Sequence, residues 1–120
     1  MGFSTIAAKQ LDWYAEREDC LLIDLRSEEE YRKSHIRGAY SLPFERIQKK
    51  MKLLPRDKIL VCYCERGGSS LAAAREFSRA GYEAVSVAGG LGAYRGKYLD
   101  RCPDSGREKN GNISGRRQKR

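Results

Sequence analysis

Long apolar runs and histidines are scarce in this chain of 120 residues. No stretch approaches the roughly 18 consecutive apolar residues that a transmembrane helix requires, so we expect no membrane partner. His35 is the single histidine, and the four cysteines form no C-x-x-C pair. Zinc sites are built mainly from histidines and closely paired cysteines. The sequence therefore predicts no metal site.

The first residues show no pattern of a targeting segment. Residues 1–6 lack both the basic and the apolar region of a secretory signal peptide, and Ile6 occupies the place where a myristoylation signal has Ser or Thr. We therefore expect a cytoplasmic protein. In that reducing compartment, four cysteines in a chain that can build its own core should be free thiols, unless one of them does chemistry.

Basic residues outnumber acidic ones by 24 to 16, which gives a formal net charge of +8. Residues 103–120 hold six of the basic and two of the acidic residues, no aromatic residue and one large apolar side chain, Ile113. Such a segment buries too little apolar surface to offset the entropy of ordering it. We predict one domain over 1–102, a disordered basic tail over 103–120, and a monomer. A nucleic-acid-binding arm is the less favoured alternative, because the tail offers no aromatic side chains for base stacking.

Strand-like and helical segments alternate over the first hundred residues, which indicates an α/β fold with a parallel sheet covered by helices. Short apolar runs predict the strands, and apolar residues at helical spacing, together with a capping box from Ser27 to Glu30, predict the helices. The predicted strands span 20–25, 38–42, 58–63 and 84–87, and the predicted helices span 5–16, 27–33, 44–53, 70–80 and 89–95.

A cysteine followed by small residues stands at the end of the strand predicted at 58–63. Cys64 lies where parallel sheets place their ligands. Gly67 and Gly68 allow the next residues to curl and to point several N–H groups at one centre, and a helix from about Ser70 adds its positive end. Helix N-termini and nearby cations lower the pKa of cysteine thiols from about 8.5 to about 3.5–7.5. We therefore expect Cys64 to react as a thiolate.

The other cysteines and the histidine have plainer interpretations. Cys62 lies inside the apolar run and Cys20 begins another, so both are predicted to be core residues, and Cys102 is assigned no role.

Arg66 could stabilise the Cys64 thiolate while the charge of Glu65 opposes it, and the sequence leaves the balance open. A Cys–His dyad with His35 as base is possible, but a structural or surface histidine is the favoured interpretation.

Several motifs, in this order, resemble the rhodanese family in its single-domain form. The resemblance extends over about residues 4–100. It is carried by LIDLR at 22–26, EY at 30–31, HIRGA at 35–39, LP at 42–43, the loop CERGGSS at 64–70, and GY and VAGG at 81–82 and 87–90. The resemblance implies a rhodanese-like α/β fold, with a parallel sheet of about five strands flanked by helices on both faces.

The resemblance also implies a sulfurtransferase. Cys64 would take a sulfane sulfur from a small anionic donor such as thiosulfate and pass it, as a persulfide, to cyanide or another thiophilic acceptor, which could be a protein. No metal or organic cofactor is implied. Asp24 and Arg26 would hold the loop's supports through charge-assisted hydrogen bonds. The residues implied in substrate binding are Glu65, Arg66, Gly67, Gly68, Ser69 and Ser70.

The chain departs from the family pattern at Ser69, where many members carry Arg, and Arg66 could supply the missing charge. Donor preference is therefore open.

A phosphatase or arsenate reductase is a minor alternative, because a C-x5-R loop would need Arg where this chain has Ser70. The other alternative is a non-catalytic or redox-sensing module of the same fold, which the presence of Cys64 makes less favoured.

Overall fold

The computed structural model describes residues 2–101. Five parallel strands form the central sheet in the order β1-β6-β5-β2-β4, and β3 and β7 form a separate antiparallel pair. The strands are β1 Phe3–Ala7, β2 Cys20–Asp24, β3 Ser34–Ile36, β4 Tyr40–Ser41, β5 Ile59–Tyr63, β6 Ala84–Ala88 and β7 Leu99–Arg101. The predicted α/β fold with a five-stranded parallel sheet is confirmed.

Helices cover both faces of the sheet. They are α1 Leu11–Ala15, α2 Glu28–Lys33, α3 Ile47–Lys50 and α4 Gly68–Arg79, with 3-10 turns at Ala8–Gln10, Phe44–Arg46, Met51–Leu53 and Leu91–Ala93. The Ser27 side chain accepts a hydrogen bond from the Glu30 N–H and so caps α2, as predicted. Among residues 2–101, no helix has the length and apolar content that crossing a membrane requires.

Alternate residues of β5 enter two different cores. Leu60 and Cys62 pack with α3 and α4 on one face of the sheet, whereas Val61 and Tyr63 pack with α1 and the segment around Tyr94 on the other. Strands buried on both faces read as continuous apolar runs, which is why β2 and β5 were predictable. The next residue after β5, Cys64, belongs to the α4 side.

The helix predicted at 5–16 is wrong in its first turn. Residues Phe3–Ala7 form the edge strand β1, which pairs with β6 in the register Thr5↔Ser86, and helical structure begins only at Ala8. Of the three apolar residues at helical spacing, Leu11 and Tyr14 lie in α1, whereas Ala7 lies at the end of the strand. Sheet pairing with a segment about 80 residues away overrides the local pattern here.

Shorter elements also differ from the prediction. The strand predicted at 38–42 is reduced to Tyr40–Ser41, because Gly38 adopts a φ of +84° in a turn before it. The helix predicted at 44–53 is a sequence of three short helical pieces, and the one predicted at 89–95 is a single 3-10 turn. The sequence patterns did not reveal β3 and β7, which have three residues each.

Candidate active site

Cys64 lies at the carboxyl end of β5, the middle strand of the sheet. Its side chain is buried, with the residue 6% exposed. The Gly67 N–H donates a hydrogen bond of 2.9 Å to the Cys64 Sγ. A backbone N–H directed at a sulfur stabilises negative charge on it, so this contact is one of those that the glycine-rich loop was expected to make.

The loop after Cys64 needs glycine at Gly67. This residue caps α4 with a φ of +110°, a conformation that side-chain-bearing residues rarely adopt, and a Cβ there would lie 3.0 Å from the Gly89 nitrogen. Helix α4 begins at Gly68, two residues earlier than predicted, and continues for 12 residues. Its N-terminus, with unpaired N–H groups and the positive end of the helix dipole, therefore lies close to Cys64.

The glycine-rich segment 89–92 supports the loop from its other side. The Leu91 N–H donates to the Cys64 carbonyl at 2.8 Å, and the Gly92 N–H donates to the Glu65 carbonyl at 3.0 Å. Gly90 has a φ of +58°, and a Cβ on it would lie 2.3 Å from the Cys64 carbonyl oxygen. The close approach of the two backbones therefore depends on glycine at this position.

Cys64 lines an open cavity of about 350 Å³. The structure brings six of the predicted site residues to its wall: Cys64, Arg26 and four of the residues implied in substrate binding. Two further residues, Leu25 and Glu30, were not predicted. The full lining is Leu25, Arg26, Glu30, Cys64, Glu65, Arg66, Gly68 and Ser69.

Two predicted binding residues, Gly67 and Ser70, do not line the cavity. Gly67 contributes its N–H to the Cys64 sulfur instead. The Ser70 side chain is fully buried, and its hydroxyl lies 3.0 Å from the Gly67 carbonyl oxygen and 3.0 Å from the Ser86 hydroxyl. In this structure the Ser70 hydroxyl therefore contacts the loop backbone and Ser86 rather than the cavity.

Asp24 and Arg26 form a buried, two-pronged ion pair at the wall of the cavity. Arg26 Nε and Nη2 donate to the two oxygens of Asp24 at 3.1 and 2.9 Å. Burial disfavours the charged guanidinium, but the hydrogen bonds and charge of Asp24 outweigh it and raise the Arg26 pKa above its ordinary value. Arg26 also donates to the Ser34 carbonyl and reaches Glu65 Oε1 at 3.4 Å, so it connects β2, β3 and the Cys64 loop.

The remaining cysteines differ sharply in environment. Cys62 is fully buried, and the loss of solvent raises the pKa of its thiol well above the ordinary value. Its predicted place in the core is confirmed. Cys20 is only partly buried, with Sγ 3.6 Å from Asp19 Oδ1, but it packs against the core on the α1 side of the sheet, so its predicted place in the core is confirmed in part. Cys102 and the tail predicted at 103–120 lie outside the described residues.

His35 takes part in a structural contact away from the cavity wall. Its ring stacks on Tyr31 with centroids 3.8 Å apart, and Nδ1 lies 2.7 Å from the Tyr31 carbonyl oxygen. His35 does not line the cavity. This position agrees with the interpretation of His35 as a structural residue. Within residues 2–101, no three His, Cys, Asp or Glu side chains are grouped so that they could hold a metal ion.

Fold and site together define a parallel α/β domain with a cysteine held in a glycine-rich loop before a helix N-terminus. The model of the rhodanese-like domain family matches residues 7–97. The chain belongs to this family, as its motifs indicated.

Named sulfurtransferases are among its relatives. A tRNA sulfurtransferase of Desulfurococcus amylolyticus is 44% identical over 77 residues, which cover 64% of this chain and 15% of that protein. A sulfurtransferase of Allochromatium vinosum is 35% identical over 81 residues, covering 67% and 76%. The thiosulfate sulfurtransferase PspE of Escherichia coli is 34% identical over 71 residues, covering 58% and 68%. The match thus spans only about a seventh of the length of the archaeal relative.

Solved structures share the fold. A rhodanese-like domain protein from Staphylococcus aureus superposes with a TM-score of 0.73 at 23% identity, over 82% of this chain and 97% of that one. A rhodanese homolog from Thermus thermophilus has a TM-score of 0.61 at 36% identity, over 74% and 98%. The first of these similarities supports the fold alone.

Proposed function

We propose that this chain transfers a sulfane sulfur through a persulfide formed on Cys64. The observation that carries the proposal is the 2.9 Å hydrogen bond from the Gly67 N–H to the sulfur of Cys64, a residue that lines an open cavity. Negative charge on a sulfur atom in this position is stabilised by the hydrogen bond from the Gly67 N–H and by the positive end of α4. The names of the relatives support the same chemistry.

With thiosulfate as donor, the reaction has two balanced steps. The Cys64 thiolate attacks the sulfane sulfur, a new S–S bond forms, and the bond from that sulfur to the sulfonate sulfur breaks, so that sulfite leaves with the bonding electron pair. An acceptor such as cyanide then attacks the outer sulfur of the persulfide, and the Cys64 thiolate leaves as thiocyanate forms. Neither step needs a metal or an organic cofactor, and a protein thiol is another acceptor of the right chemistry.

Loop residues have separate roles in this proposal. Glu65, Arg66, Gly68 and Ser69 face the cavity and would contact the donor. The Asp24–Arg26 pair positions the loop, since Arg26 is anchored to β2 and reaches the loop at Glu65. Phosphoryl transfer has less support, because a C-x5-R loop would place Arg where this chain has the fully buried Ser70.

Steady-state turnover of thiosulfate and cyanide tests the proposal. We expect the full chain to form thiocyanate and the Cys64→Ser variant to lose activity by at least about a thousandfold, because serine is a far weaker nucleophile at neutral pH. Cys20→Ser is the matched control, since Cys20 is a partly exposed cysteine outside the cavity lining. Full activity in Cys64→Ser, or equal losses in both variants, would contradict the role of Cys64.

A further inference from the structure

The charges around the cavity are mixed. Two arginines, Arg26 and Arg66, and two glutamates, Glu30 and Glu65, contribute to its wall. A site built for a small dianion would be expected to present unpaired cations and backbone N–H groups. The ion pairs that these four side chains form decide how much positive charge a sulfur donor meets in the cavity.

Arg26 offers a sulfur donor little of its positive charge. Three of its contacts, two to Asp24 and one to the Ser34 carbonyl, occupy Nε and Nη2. Its Nη1 faces Glu65 Oε1 at 3.4 Å. The Arg26 side chain is 7% exposed and that of Asp24 is fully buried, whereas half of the Glu65 side chain is exposed. Glu65 therefore competes with an anion for Nη1, the remaining amino group of Arg26.

The balance of formal charge points the same way. Asp24 cancels the charge of Arg26, and Arg66 alone faces two carboxylates, Glu30 and Glu65, at the wall. The five side chains counted here together carry one net formal negative charge; they are Asp24, Arg26, Glu30, Glu65 and Arg66. A doubly charged donor is repelled about twice as strongly by that charge as a singly charged donor of similar size.

We propose that Glu65 is a specificity-determining residue, which selects singly charged sulfane-sulfur donors, such as thiosulfonates and persulfides, over the thiosulfate dianion. The inference rests on the proposed function and concerns its donor class. The transfer itself is unchanged: with methanethiosulfonate, Cys64 attacks the terminal sulfur, the bond from that sulfur to the sulfonyl sulfur breaks, and methanesulfinate leaves. Total charge is the same on both sides of this step.

The test compares two donors that differ mainly in charge. Thiocyanate formation by the full chain is measured with thiosulfate or with methanethiosulfonate as donor, at fixed cyanide. In a double-displacement reaction, kcat/KM for the donor reports the loading of Cys64 alone. The ratio of the two values is then compared among the wild-type chain, Glu65→Gln, Glu30→Gln and Glu29→Gln.

Removal of one negative charge about 6 Å from a donor should raise kcat/KM about tenfold for a dianion and about threefold for a monoanion. We therefore expect Glu65→Gln to shift the donor ratio about threefold towards thiosulfate, mainly through KM, and the shift to shrink at high salt. Glu30→Gln should cause a smaller shift. Glu30 lines the cavity but forms no ion pair with Arg26, so its removal does not free the positive charge of Arg26 for the sulfur donor. Glu29 is exposed on α2 and does not line the cavity, so Glu29→Gln should leave the ratio unchanged.

Two failures can be told apart. If Glu65→Gln changes kcat/KM equally for both donors, or no more than Glu29→Gln does, the selection by Glu65 is overturned while sulfur transfer by Cys64 stands. If the wild-type chain forms no thiocyanate from either donor, the proposed function is overturned and this inference falls with it.

Discussion

Cys62 and Cys64 lie two residues apart and point to the same side of the sheet, yet their surroundings give them different chemistry. Cys62 lies within β5, fully buried, and burial raises the pKa of its thiol. Cys64 lies just beyond the strand, in the wall of a cavity, and its sulfur is within hydrogen-bond distance of a backbone N–H. A shift of one pleat along the chain therefore separates a core thiol from a candidate nucleophile.

The raised pKa of Cys62 predicts a loss of stability at alkaline pH. In the unfolded chain the thiol ionises near its ordinary pKa of about 9, whereas in the folded chain it keeps its proton. The unfolded state then binds fewer protons, so the free energy of unfolding should fall as pH rises, by up to about 1.4 kcal/mol per pH unit above pH 9. Urea unfolding at pH 7, 8, 9 and 10 measures this slope.

Cys62→Ala is the matched variant for this measurement, since it keeps a small apolar side chain in the core and removes the titrating group. Its free energy of unfolding should fall less steeply than that of the wild-type chain between pH 9 and 10. Cys20, whose pKa burial also raises, accounts for part of the slope that remains. An equal slope in both proteins would contradict the assignment.

At the residue scale, the sequence predicted the Cys64 loop better than it predicted the other residues that line the cavity. Cys64 and the following loop were predictable because a strand, a cysteine, two glycines and a helix are adjacent in the chain. The contact between Arg26 and Glu65 joins residues 39 positions apart, and Glu30 reaches the cavity from α2. Single-residue patterns do not encode such contacts, because they arise only when separate elements pack together.

At the scale of elements, the Cys64 loop is held between α4 and the segment 89–92. Segment 89–92 approaches the loop at two points: Gly89 lies close to Gly67, and Gly90 lies close to the Cys64 carbonyl. Backbone hydrogen bonds from Leu91 and Gly92 satisfy the carbonyls of the first two loop residues. The loop geometry is therefore fixed by a segment that follows a different strand, β6.

Gly90→Ala should damage both stability and transfer. The new Cβ would lie 2.3 Å from the Cys64 carbonyl oxygen and 2.6 Å from the Glu65 carbonyl carbon, and the φ of +58° is itself unfavourable for alanine. We expect the free energy of unfolding to fall by about 2–3 kcal/mol. We also expect thiocyanate formation to fall, because the backbone of Cys64 must move.

Gly68→Ala provides the control for stability. A Cβ on Gly68 meets no heavy atom within 4 Å, and the residue lies in the first turn of α4. Alanine there should leave the free energy of unfolding unchanged or raise it by about 0.5 kcal/mol. If urea unfolding finds the two variants equally stable, the close packing of the loop against segment 89–92 is not as described.

Strands with a continuous apolar run of their own were predictable, and strands whose sequences lack such a run were not. Strands β2 and β5 were found from their own apolar runs. Strand β1 lies at the sheet edge with only Ile6 buried, so its sequence lacks the continuous apolar run of a central strand. Strands β3 and β7 exist through pairs such as His35↔Asp100, which the chain brings together over more than 60 residues.

For the whole molecule, strand order explains where the site lies. The order β1-β6-β5-β2-β4 places β5 in the middle, so that the segment after β2 and the segment after β6 flank the Cys64 loop. Arg26 comes from the first of these segments and Gly90 from the second. Ligands of open α/β sheets bind beyond the carboxyl ends of the strands, and the cavity lies at that edge.

The central claim, that Cys64 carries the transferred sulfur, is tested most directly by mass spectrometry of the full chain after incubation with thiosulfate. We predict a gain of one sulfur atom that is lost on treatment with cyanide, absent in Cys64→Ser and retained in Cys62→Ala. A gain that persists in Cys64→Ser, or that disappears in Cys62→Ala while Cys62→Ala remains folded, would contradict the account.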